Sequence, residues 1–301
     1  MAIENPVHVN ECGLPLNAIS WLETHHKSKL AERAQMIRDL HLQYGSRIVD
    51  AGCGPGLWTP LLARAVGPHG QILGVDLSVE ALATARARCQ GAWFAPQVLY
   101  QQGSIENLPV ADHSIDAIFS ANVSQYLANP VETFERLGRY LAPGGRLVVK
   151  DIDFGTLRFH ALDPSLQARV FQAREEWERQ RLLLGYTFED SWVGSKLAGY
   201  LRTAGYLHVQ EKSYTIARRA PLTPELRSYL QGIGEWFACE DAPFLARDDM
   251  RRWLDCFADG PACSLDHDCF LYEETEFLVT GMWPGRSLRH LMDTQVTKHE
   301  L

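Results

Sequence analysis

A chain of 301 residues, 46% hydrophobic and 22% charged, carries enough apolar material for a sizeable buried core, which excludes disorder as its main state. Its 29 basic and 37 acidic residues leave a formal charge of −8, so the overall field draws it to neither a phosphate backbone nor an anionic membrane. Glu4 and Glu11 stand where a targeting segment would be basic, and no apolar run reaches spanning length. The expectation is a cytoplasmic protein with no membrane and no nucleic-acid partner. Seven cysteines contain no CxxC pair, so no metal site is expected, and Cys256, Cys263 and Cys269 read as ordinary thiols.

In chain order, residues 1–15 read as a flexible start. Leu30, Ala34, Ile37 and Leu40 recur at helical spacing before Gly45, and Arg47 to Ala51 has the β-branched run of a buried strand. Strands and helices then alternate: helix Leu57 to Ala65, strand Ile72 to Asp76, helix Val79 to Cys89, and strands Val98 to Gln101 and Ile115 to Ser120. Helix Val131 to Leu141 and strand Arg146 to Asp151 follow. That rhythm predicts a doubly wound α/β fold, a parallel sheet with helices on both faces. Two cap segments are expected at about 160–190 and 222–260 within one domain spanning 16–284. The first is a helix punctuated by Pro164 and Gly185, the second a pair rich in Trp236, Phe237, Phe244, Trp253 and Phe257. Between them Val193 to Thr203 and Leu207 to Val209 read as a helix and a strand. Phe270 to Thr280 reads as the last strand and 285–301 as a polar tail.

The chemistry gathers at Val49-Asp50-Ala51-Gly52-Cys53-Gly54-Pro55-Gly56, where a buried strand gives way to a helix. Glycine there permits a sharp turn and close approach of a ligand to the backbone, and a helix start offers unpaired N–H groups to an anionic group. Gly74-Val75-Asp76-Leu77-Ser78 then ends the second strand with an acid 26 positions after Asp50. That is close to the spacing at which a carboxylate meets ribose hydroxyls, while Ser78 is the better cap for the helix at Val79. After the third strand, Ser104 and Ile105 are placed to meet an adenine.

These segments, with Leu108-Pro109, Asp112-His113-Ser114-Ile115-Asp116 and Leu141-Ala142-Pro143-Gly144-Gly145-Arg146-Leu147, resemble class I S-adenosylmethionine-dependent methyltransferases. The resemblance is to the small-molecule subgroup that includes the C-methyltransferases of ubiquinone and menaquinone biosynthesis. It implies a Rossmann-like seven-stranded sheet with the last strand antiparallel, and S-adenosyl-L-methionine as cofactor. It implies further that the loop of Asp50, Gly52, Gly54 and Gly56 holds the methionine part, Asp76 the ribose, and Leu77 the adenine. Ser104 departs from the pattern, standing where many relatives have an acid; its hydroxyl still accepts a hydrogen bond. A nicotinamide-dependent oxidoreductase is the rival within the fold class, but its fingerprint is GxGxxG and this loop is GxGxG.

For the methyl acceptor, the loop Asn122-Val123-Ser124-Gln125-Tyr126 follows the fourth strand at the carboxyl edge of the sheet, where open α/β folds bind ligands. Gln125 and Tyr126 are the first candidates to orient an acceptor, and Asn122 to meet the cofactor; the alternative for Tyr126 is packing under the next helix. His160, near Asp151 and Asp153, is a candidate base, with loop capping the plainer role for Asp151. His25, or its neighbour His26, is another candidate if the amino-terminal helix folds over the site. Arg169, Arg174, Arg179 and Arg181, among Glu175, Glu176 and Glu178, read as a solvated mixed-charge face. The aromatic cap residues suggest a partly apolar small-molecule substrate; core packing or a homodimer interface remains open for them. The reading is a methyltransferase of secondary metabolism acting by in-line displacement, the alternative being a protein that binds S-adenosylmethionine without transferring methyl, such as a sensor or a repurposed cyclase.

Overall fold

The computed structural model describes residues 16–183, 190–240 and 244–284; the expected flexible start and polar tail lie outside them. Seven strands form one sheet in the order β3-β2-β1-β4-β5-β7-β6. β1 (Arg47–Ala51) pairs in parallel with β2 (Gln71–Asp76) and β4 (Ile115–Ala121), β2 with β3 (Val98–Gln102), and β4 with β5 (Leu141–Phe159). β6 is Leu207–Arg219 and β7 is Leu271–Met282. β7 runs against β5: the His160 N–H donates to Leu271 O, the Thr275 N–H to Thr156 Oγ1, and the Trp283 N–H to Gly145 O, so numbers fall on one strand as they rise on the other. The last strand is therefore antiparallel, as expected.

Helices α1 (Ile19–Ser28) and α2 (Leu30–Asp39) precede the sheet, and α3 (Thr59–Val66), α4 (Val79–Cys89) and α5 (Pro130–Gly138) alternate with its strands. α6 (Pro164–Leu183), α7 (Leu197–Thr203), α8 (Pro224–Glu240) and α9 (Arg247–Phe257) complete the described helices. The caps follow side-chain chemistry: Ser78 Oγ accepts from the Ala81 N–H at 2.9 Å, and Asn129 Oδ1 from the Glu132 N–H at 3.2 Å, with Pro130 opening α5. β5 begins at Leu141 rather than Arg146, because Ile115 pairs with Leu141 and Ala117 already with Arg146. Pro143, Gly144 and Gly145 are thus absorbed as an irregularity in the strand, with Gly144 at φ 80°.

The chain divides into two compact units. One comprises 34–151, 193–213 and the segment from 277 onward; its core joins Val49, Ala51, Ile118, Phe134, Leu147 and Val279. The other comprises the segment up to 33, 152–192 and 214–276, and both expected caps fall inside it. Its core is aromatic: Phe154 lies 4.8 Å from Trp236, Phe171 stacks on Phe237 at 4.7 Å, and Trp253 lies 4.9 Å from Phe257. Trp236, Phe237, Trp253 and Phe257 are all buried, so the aromatic residues read as a pocket roof pack mainly on one another. Arg174 and Glu178 also depart from the expected solvated face. Both are buried; the Arg174 guanidinium lies 3.7 Å from the centre of the Trp236 ring, and its Nε donates to Glu178 Oε1 at 3.0 Å. No described helix is long and apolar enough to cross a membrane.

Candidate cofactor and acceptor site

The glycine loop after β1 turns on three left-handed glycines, Gly52 at φ 76°, Gly54 at φ 51° and Gly56 at φ 72°. Its backbone is tied down from β2: the Gly52 and Cys53 N–H groups both donate to Val75 O, at 2.7 and 3.1 Å. Asp76 completes the clamp. Its Oδ2 accepts from the Gly54 N–H at 2.7 Å and its Oδ1 from the Ser78 N–H at 2.9 Å, so one carboxylate joins the turn to the start of α4. The side chain stays partly exposed, leaving acceptor capacity for hydroxyls. A Cβ on Gly52 would fall inside Val123 Cγ2, and one on Gly56 would approach the Tyr100 hydroxyl to 2.6 Å. These two glycines are thus required by both conformation and space.

Asp50, at the end of β1, is 1% exposed, and its Oδ2 has no hydrogen-bond partner among the described residues. Burial, reinforced by the charge of Asp76, pushes its carboxyl up to about 8. An unpaired carboxylate oxygen beside a glycine turn is a place for a cationic ligand group. Leu77, next to Asp76, is 52% exposed, an apolar face open at the end of β2. Ser104 Oγ accepts from the Glu106 N–H at 3.1 Å in its own turn, Ile105 is buried, and the Gly103 N–H donates to Asp76 O. This turn, Leu77, Asp76 and the glycine loop form one continuous framework within a single unit.

The loop after β4 belongs to the same unit. Asn122 adopts φ 59°, and its N–H donates to Lys150 O at 2.7 Å while its Oδ1 accepts from Lys150 Nζ at 2.7 Å. Ser124 and Gln125 are buried in a short 3₁₀ turn over 124–126, and neither Ser124 Oγ nor Gln125 Oε1 has a hydrogen-bond partner among the described residues. Tyr126 is half-buried, its N–H donating to Val123 O. Asp151 is fully buried and its Oδ2 accepts from the Ser124 N–H at 3.1 Å, the capping role anticipated for it.

The candidate histidines belong to the other compact unit. His160 is exposed in that unit, its Nε2 2.7 Å from Glu273 Oε2, and Asp153 Oδ1 accepts from the Gly155 N–H at 2.9 Å. His25 also belongs to the other unit, and both it and His26 are buried. Its ring stacks on Tyr229 at 5.2 Å, and Nε2 lies 3.3 Å from the Arg33 guanidinium and 3.7 Å from Glu276 Oε1. Burial, with Lys29 and Arg33 nearby, holds its pKa well below the ordinary value. Lys29, equally buried, reaches Glu274 at 2.5 Å and Glu276 at 3.2 Å. Lys150 and Val123 were not anticipated from the sequence. The one signal for Lys150 was a charge in an otherwise apolar strand, Leu147-Val148-Val149-Lys150. No group of side chains suited to hold a metal ion occurs among the described residues.

Sheet order, antiparallel β7, glycine turn and the acid ending β2 together define the class of S-adenosylmethionine-dependent methyltransferases. The family model of the methyltransferase domain matches residues 42–211, more than half of the chain, and the chain belongs to that family. It is 29% identical over 230 residues to an uncharacterized 37.1 kDa protein in transposon TN4556 of Streptomyces fradiae, covering 76% of this chain and 62% of that protein. It is 26% identical over 197 residues to a demethylmenaquinone methyltransferase of Staphylococcus haemolyticus, covering 61% and 77%. The chain spans about three fifths of the length of curated relatives such as the Streptomyces fradiae protein. Phosphoethanolamine N-methyltransferase 2 of Haemonchus contortus, solved with phosphomonomethylethanolamine and S-adenosylhomocysteine, superposes with a TM-score of 0.51 at 17% identity, over 88% of this chain and 58% of that one, and shares the fold.

The residues present fit S-adenosylmethionine, the cofactor of this class. Asp50 Oδ2 offers the missing partner for the amino-acid ammonium, Asp76 can accept from ribose hydroxyls, and Leu77 presents an apolar surface to the base.

Proposed function

We propose that this chain methylates a small molecule, taking the methyl group from S-adenosylmethionine by in-line displacement. The observation that carries the reading is the buried, unpaired Asp50 Oδ2 beside a glycine turn clamped by Asp76. When bound, the cofactor supplies a methyl carbon already activated by its sulfonium charge. What this chain's residues add is position. Orienting an acceptor against a fixed methyl group is worth roughly 7–11 kcal/mol of barrier, so no base is required for acceptors that are already nucleophilic.

Gln125 is the residue we assign to the acceptor. A buried amide oxygen without a partner costs about 1–3 kcal/mol, and an O–H or N–H of the substrate would satisfy it. Ser124 Oγ, buried and without a hydrogen-bond partner among the described residues, lies next to it on the same turn. The acceptor is thus a small molecule with a hydrogen-bond donor at or near the methylated atom. His160, paired with Glu273 at the surface, is not given a part.

Incubation with S-adenosylmethionine and a defined panel of phenols, quinols and amines, followed by mass spectrometry, tests this. A mass gain of one CH2 on a panel member, with S-adenosylhomocysteine released, is expected. Gln125→Ala should lower turnover at least tenfold while leaving S-adenosylhomocysteine affinity within twofold. Cofactor binding without transfer to any acceptor would favour a protein that binds S-adenosylmethionine for another purpose.

A further inference from the structure

Two consecutive residues of β5 hold the loop that follows β4. Lys150 is fully buried, and it grips Asn122 twice, by its ammonium on the side-chain oxygen and by its carbonyl on the backbone N–H, each at 2.7 Å. Asn122 is thereby held at φ 59°, in the left-handed region that few residues with a Cβ adopt. One place further on, Asp151 takes the Ser124 N–H. Between these anchors sits Val123, whose Cγ2 occupies the space a side chain on Gly52 would need. A buried lysine is an expensive way to fill a sheet, since well-packed apolar side chains usually replace buried charges without loss of stability. Its side chain reaches the one left-handed residue of the loop among those described.

We propose that Lys150 is a positioning residue: acting through Asn122, it holds the loop left-handed so that Val123 seats on the glycine turn and Gln125 is presented to the acceptor. The geometry stands independently of the reaction, but the role of Gln125 rests on the proposed methyl transfer.

The test uses S-adenosylhomocysteine as the probe and glycine as the rescue. Lys150→Met should weaken its binding at least tenfold by calorimetry. Lys150→Met/Asn122→Gly should return it to within threefold of the unaltered protein, because glycine adopts this conformation unaided. Wild-type affinity in Lys150→Met, or a double variant no better than the single one, overturns the proposal. If Lys150→Met does not fold, Asn122→Ala, which removes the acceptor of the Lys150 side chain but keeps a Cβ in the left-handed region, replaces the single variant and Asn122→Gly replaces the double one. Hydrogen exchange over 120–127 forms a second arm: protection there should fall in Lys150→Met while exchange in β1 and β2 is unchanged, and unchanged protection overturns the proposal. If the unaltered protein binds no S-adenosylhomocysteine, the methyl-transfer reading fails and the exchange arm alone decides the role of Lys150.

Discussion

Binding of S-adenosylhomocysteine near neutral pH should expel a proton from Asp50. With its carboxyl raised to about 8 by burial and by Asp76, the group is largely protonated at pH 7 in the free protein. An ammonium placed at the unpaired Oδ2 favours the carboxylate, so close to one proton leaves as the ligand enters. Calorimetry at pH 7 in two buffers of very different ionisation enthalpy measures that proton directly, and Asp50→Asn should remove the buffer dependence. The same group shapes the stability of the free protein. Between about pH 4 and pH 8 native Asp50 keeps a proton that the unfolded chain has lost, so its contribution is fully present below about pH 4. It declines by up to about 1.4 kcal/mol per unit as the pH rises to 8. Urea titrations of Asp50→Asn should show a flatter profile over that window. Identical binding enthalpies in the two buffers would refute the placement of a cationic group at Asp50.

Three further outcomes follow from other contacts. Asp76→Ala removes the acceptor for the Gly54 and Ser78 N–H groups and should weaken S-adenosylhomocysteine binding by about 1.5–3 kcal/mol; unchanged affinity by calorimetry would take Asp76 out of the site. Gly52→Ala must displace Val123, whereas Gly45→Ala at φ 82° meets open space, so the first should be about 1–3 kcal/mol more destabilising in urea than the second; equal losses would mean the loop is loosely packed. Lys29→Met leaves Glu274 and Glu276 buried without their ammonium and should cost about 3–5 kcal/mol of unfolding free energy; a loss below 1 kcal/mol would show that the two acids share a proton or a water instead.

The sequence alone determined what depends on neighbours along the chain. β1, β2 and β4 were legible because a parallel strand buried on both faces must be a short apolar run, and α4 because Ser78 caps it at the place where the strand ends. The glycine turn and Asp76 were legible for the same reason: a left-handed turn needs glycine wherever it occurs, and the acid lies at the end of the adjoining strand. Only the tertiary structure decided what depends on partners distant in sequence. Asn tolerates the left-handed region, but nothing along the chain shows that Asn122 adopts it or that its Oδ1 accepts from Lys150, 28 positions away. His25 and His26 share a helix turn that periodicity leaves facing either water or a site, and Arg33 and Glu276 draw them into the interior. The aromatic residues of α8 and α9 read equally well as pocket walls or as core, since composition records how much apolar surface a helix carries and not what covers it. Phe154, Phe159 and Phe171, reached only through the fold, supply that cover.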